Sequence, residues 1–146
     1  MLKQLLFIDM DGVIADFPEG KSFLWGRPNF WVTVPKFQWS DELVGLWGEQ
    51  YDLHILSSTG GGPAATAGKM QWLQEHYPHL VQGAIFTKDK HLLAAPGRLL
   101  VDDDQEKCDA FDAAGGIAML FNPDSAQDRL SPFVESTLAW LKEHLS

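Results

Sequence analysis

The chain has 146 residues and a mass of 16.3 kDa, enough for one compact domain with its own core and too little for a two-domain enzyme. Its 45% hydrophobic and 21% charged residues are a globular composition, not that of a disordered chain. Eleven Lys and Arg against 20 Asp and Glu leave a formal charge of −9, so the surface repels nucleic-acid backbone and anionic membrane, and stable duplex binding is not expected. The single cysteine, Cys108, excludes an internal disulfide and a cysteine-based zinc site and fits a reducing compartment.

In chain order, the first apolar run is Leu5-Leu6-Phe7-Ile8, stopped by Asp9. It is too short for a signal sequence or a membrane span, so a cytoplasmic protein is expected. Further runs of strand length fall at 53–56, 84–86, 99–101 and 117–121, with helical spacing between several of them. That alternation predicts an α/β fold: a Rossmann-like three-layer α/β/α arrangement around a mostly parallel sheet. One helix is expected over about 64–77, with Met70, Leu73 and Tyr77 on its apolar face and Pro78 as its stop. A second spans 105–114 and ends at Gly115-Gly116. A third follows Ser131-Pro132, with Phe133, Leu138, Leu141 and Leu145 as its apolar side. The stretch from Phe17 to about residue 50 holds eight of the 17 aromatics, Trp25, Trp31, Trp39 and Trp47 among them, without a clean period. It reads as a small cap insert after the first strand of a single 1–146 domain.

Chemistry concentrates where strands end. Asp9-Met10-Asp11-Gly12 places two carboxylates at the end of the first strand, the edge where open α/β sheets bind ligands. Carboxylates this close repel unless a cation or a proton lies between them, and Gly12 permits a sharp turn. The second strand runs into Ser57-Ser58-Thr59-Gly60-Gly61-Gly62 and a helix, a setting that holds phosphate. The fourth ends in Asp102-Asp103-Asp104; helix capping accounts for Asp104 but not for all three. Lys88 or Lys90 can offset charge on carboxylates and phosphoryl oxygens alike. The five histidines show no metal-ligand spacing.

This order of features resembles the haloacid dehalogenase-like (HAD) phosphohydrolases, from Leu5 to about Asn122. Within that superfamily the opening Asp9 to Phe17, the Lys69 and Trp72 pair, Thr87 to Lys90 and Leu99 to Asp103 are similar to the 5′(3′)-deoxyribonucleotidases. The resemblance implies a Mg²⁺-dependent phosphomonoesterase acting on a small phosphorylated substrate such as a nucleoside monophosphate. Asp9 would be the nucleophile and Asp11 the general acid and base. Ser57, or Ser58 if the alignment slides by one, and Lys90, with Lys88 as the fallback, would bind phosphate. Asp9, the carbonyl of Asp11, and Asp103 would hold Mg²⁺, with Asp102 in or near their outer shell, and Phe17 matches a position near the nucleotide. Hard oxygen donors suit Mg²⁺ independently of the likeness.

Only about 40 residues separate Asp16 from Ser57, a shorter cap than in the deoxyribonucleotidases. The insert's Trp25, Phe30, Trp31, Phe37 and Trp39 either stack on a base or form the insert's own core, and the core is the stronger expectation for each. Two other readings stand beside the nucleotidase: a phosphatase for another small phosphomonoester or a nucleic-acid 3′-phosphate end, and a binding protein that keeps the scaffold without catalysis.

Overall fold

Strand β1 (Leu5–Ile8) carries no polar side chain and is buried from its second residue onward, so both its faces need cover, as the strands of parallel sheets do. In the computed structural model, which describes residues 2–18, 24, 27, 29–121, 136, 137, 139, 140 and 143, β1 is the middle of a five-stranded sheet. All neighbours are parallel, in the order β3-β2-β1-β4-β5, with β2 at Asp52–Ser57, β3 at Ile85–Phe86, β4 at Leu99–Asp102 and β5 at Ile117–Leu120. The register sets Ile8 beside Ile55 on one side and Val101 on the other.

Strand alternation divides the core. Leu6, Ile8, Ile55, Leu99 and Val101 pack with helices α1 (Ser40–Gln50) and α2 (Gly62–His76), whereas Phe7, Leu56 and Leu100 meet Phe111 of α3 (Gln105–Ala113) on the other face. The fold is therefore the expected α/β class with three layers.

The aromatic stretch divides differently from the sequence reading. Residues 40–50 are not irregular insert but α1, whose buried Ser40, Leu43, Val44 and Trp47 follow a helical i, i+3, i+4, i+7 spacing. Ser40 hid the period because its hydroxyl, though fully buried, donates to the Ile14 carbonyl at 2.7 Å. On α2 the buried stripe is Ala65, Lys69, Trp72 and Leu73; of the expected apolar face Leu73 and Tyr77 are buried while Met70 is only half-buried. A lysine in that stripe breaks the hydrophobic pattern.

The described part of the insert packs on the domain. The Trp39 indole N–H donates to the Val13 carbonyl and that of Trp72 to Val34, both at 2.9 Å, and Phe37 stacks on Trp39 with centroids 4.4 Å apart. Phe30, Trp31 and Trp39 are buried, so their large rings supply the core that a short irregular segment otherwise lacks. Trp25 and most of the expected C-terminal helix lie outside the described residues, of which Ser136, Thr137, Ala139, Trp140 and Glu143 are helical. Among the described residues no helix is long and apolar enough to cross a membrane.

Candidate active site

The strand order makes β1 and β4 neighbours while the chain continues from β1 to β2 on one side and from β4 to β5 on the other. At such a switch point the loops leave in opposite directions and a crevice opens beyond the strands' C-terminal ends. Asp9 follows β1 directly, its N–H donating to the Val101 carbonyl of β4 at 2.9 Å, and Asp102 is the last residue of β4. The two acidic ends are thus joined by sheet pairing. Asp9, Asp11, Phe17, Ser58, Asp102, Asp103, Asp104 and Lys107 line a pocket of about 230 Å³ there.

Two buried lysines organise the carboxylates. Lys90 Nζ donates to Asp9 Oδ1 at 3.0 Å and Asp102 Oδ2 at 2.7 Å. Lys69 Nζ reaches Ser57 Oγ at 3.1 Å, the Ser58 carbonyl at 2.9 Å and Asp11 Oδ2 at 3.1 Å. Both lysines are almost wholly buried, so each ammonium requires these partners. Lys88, by contrast, is exposed and lines a neighbouring groove with Thr59, Pro63 and Thr66. Of the two serines, Ser57 turns its hydroxyl inward to Lys69, whereas Ser58 faces the pocket. Asp104 caps α3, accepting from the backbone N–H groups of Glu106 and Lys107.

Lys69 enters the sequence analysis only through the resemblance, with no site role; the signal for one is a cation on the buried stripe of the helix that follows the serine loop. Lys107, which also lines the pocket, gave no such signal because it sits at an ordinary helical position.

The environments push the carboxyl pKa values apart. Burial works to raise Asp9, but the Lys90 charge, with hydrogen bonds from Asp103 and Lys90, holds it below the ordinary carboxylate range. Asp11 goes the other way, pushed up to about 6 mainly by burial, which outweighs the opposing Lys69 charge. Asp102 rises to about 6 and Asp103, whose side chain as a whole is exposed, to about 8, in both cases through desolvation of the carboxyl first and then the nearby Asp9 charge.

The donor set fits a hard divalent cation. One carboxylate oxygen each from Asp9, Asp102 and Asp103 lie within 4.8 Å of one another, a grouping that requires a proton or a cation. Asp102 has both oxygens engaged, Oδ2 by Lys90 and Oδ1 by the Asp104 N–H at 3.0 Å, which suits it to orient Lys90 as much as to ligate. The Asp11 carboxylate is turned to Lys69 instead. Gly12 is required here: with φ at +82°, it leaves room for Asp103 Oδ2, which a Cβ would approach to 2.0 Å. Protons on Asp102 and Asp103 compete with a cation. A divalent cation taken up by this cluster would therefore bind more tightly as pH rises from about 6 to about 8, with proton release on addition of Mg²⁺ measurable at pH 7 by calorimetry in buffers of different ionisation enthalpy; a pH-independent affinity would contradict the cluster.

The chain matches no protein-family model and shows no significant match to a curated protein.

Proposed function

We propose that the protein is a Mg²⁺-dependent phosphomonoester hydrolase of HAD type, working through an aspartyl-phosphate. The observation that carries this reading is the split between two carboxyls in one pocket: Asp9 held ionised by Lys90, Asp11 raised to about 6. Environments that separate two titrating groups in this way divide the roles of nucleophile and proton donor.

In this reading the Asp9 carboxylate attacks phosphorus as the bond to the leaving oxygen breaks, and Asp11 gives that oxygen its proton. Lys69 occupies Asp11 Oδ2, while Oδ1 is buried without a hydrogen-bond partner, so Oδ1 is the atom that carries the proton. Asp11 then takes a proton from the water that cleaves the aspartyl-phosphate. Ser58 and Lys107 line the phosphate's side of the pocket, and Lys90 keeps Asp9 oriented. Asp9 and Asp103, with the Asp11 carbonyl, would hold Mg²⁺, which would supply charge neutralisation for the phosphoryl oxygens.

Among the described residues Phe30, Trp31 and Trp39 are buried and the half-buried Phe17 lines the pocket, which supports a small substrate such as a nucleoside monophosphate lying against that ring. The lone Cys108, buried beneath Asp102, fits a reducing cytoplasmic setting.

Phosphate release with Mg²⁺ from deoxynucleoside monophosphates, sugar phosphates and 3′-phosphorylated oligonucleotides tests the reading. Turnover confined to oligonucleotide ends would move the substrate class, and release from none of them would favour a binding protein.

A further inference from the structure

Trp31 has no role in the chemistry above, yet contacts with four residues converge on its indole. Its ring centroid lies 5.5 Å from Lys69 Nζ. Its Cδ1 occupies the space that Gly68 leaves open on α2, where a Cβ would come within 2.3 Å. On its other sides it meets Phe17 with centroids 6.0 Å apart and Phe30, edge to face, at 5.4 Å. The indole is therefore a plug between the insert, the pocket-lining Phe17 and the lysine that holds the proton donor.

We propose that Trp31 is a positioning residue for Asp11, acting through Lys69: the indole closes a dry compartment in which the Lys69 ammonium stays on Asp11 and Ser57. This rests on the reading of Asp11 as general acid. An ammonium offers three N–H groups, and among the described residues Ser57 Oγ, the Ser58 carbonyl and Asp11 Oδ2 lie within reach of Lys69 as acceptors. In a water-excluded site the alternative to these contacts is an unpaired buried charge, so the contacts persist. Once water enters, solvation competes with them and the attraction to Asp11 weakens. An aromatic face excludes water and, through its quadrupole, also favours the cation. Loss of the indole thus frees Lys69, and with it the orientation of Asp11 Oδ1, without touching Asp9, Lys90 or the carboxylates of β4.

Leaving-group dependence isolates this effect, because p-nitrophenolate departs without a proton whereas an alkoxide needs one. Because water attack on the aspartyl-phosphate is common to both substrates, the split is read in kcat/KM, which reports the first displacement: Trp31→Leu should lower kcat/KM on an alkyl phosphomonoester by about 10- to 100-fold, within the range that positioned acid catalysis contributes, and lower kcat/KM on p-nitrophenyl phosphate several-fold less. Trp31→Phe, which keeps an aromatic face, should recover most of the loss. Gly68→Ala, which displaces the indole without removing it, should show the same split, so the test survives if Trp31→Leu folds poorly. Asp11→Asn is the reference. A split in Asp11→Asn without one in either Trp31→Leu or Gly68→Ala overturns the inference alone; a wild type active on neither substrate, or Asp11→Asn without the split, brings down the reading of the site itself.

Discussion

Asp9→Asn is expected to lower kcat by roughly 10⁴- to 10⁶-fold, the range seen when a nucleophile or its activating partner is removed. The amide has nearly the shape of the carboxylate and can still accept from the Met10 N–H, 2.9 Å from Asp9 Oδ1, and from Lys90, so the fold should persist. What disappears is the charge that, in the proposed mechanism, attacks phosphorus. The variant also removes one negative charge from the cluster with Asp102 and Asp103, so Mg²⁺ should bind more weakly. Phosphate release at saturating Mg²⁺ measures the first effect, and acid-quench trapping of a phosphoryl-enzyme, present in the wild type and absent in the variant, ties it to the nucleophile. Substantial turnover by a clean preparation of Asp9→Asn would give the attack to another group.

Lys90→Met should destabilise the metal-free protein by about 3–5 kcal/mol, the usual result of stripping one partner from a buried ion pair, which corresponds to a melting point lower by roughly 10 °C for a chain of this size. Methionine fills similar space, but Asp9 and Asp102 lose the cation they share and face each other and Asp103 without it. Even with Lys90 present, Asp102 and Asp103 are raised to about 6 and about 8 from an ordinary 3.8. Groups raised on folding bind more protons in the folded state, so they favour the fold at low pH, and that contribution is lost as pH rises through 6 and then 8. The variant strengthens this trend: its deficit should be greatest in chelator at pH 8, shrink toward pH 5 as the carboxylates protonate, and shrink again when Mg²⁺ takes over the missing charge. Melting curves under those three conditions are the measurement. A variant that melts with the wild type in chelator at pH 8 would mean that the carboxylates do not depend on Lys90.

The strands, the order of chemistry along the chain and the position of each carboxylate were legible because they are local properties. An apolar run stopped by Asp9, or by Asp102 and Asp103, states its own end, and Asp104 as a helix cap follows from the residue type. Helix α1 was not legible, since its stripe includes Ser40, a polar residue that the Ile14 carbonyl makes tolerable. The choice between Lys88 and Lys90 also lay beyond the residues themselves; two positions apart, they differ in that the 3₁₀ turn Lys90–Leu93 carries Lys90 inward while Lys88 remains exposed.

By itself the sequence determined an acidic α/β chain with carboxylates and hydroxyls at its strand ends, because strand length, alternation and turn residues are set by short-range sterics and solvation. Only the tertiary structure decided that β1 and β4 are neighbours, that Lys69 stands on Asp11 while Lys90 stands on Asp9, and that Trp31 and Trp39 are packed inward. Those outcomes depend on contacts between residues far apart in the chain, such as Lys90 with Asp9. Burial then raises Asp11 while Lys90 holds Asp9 low, a difference between two aspartates that their side-chain chemistry alone does not contain.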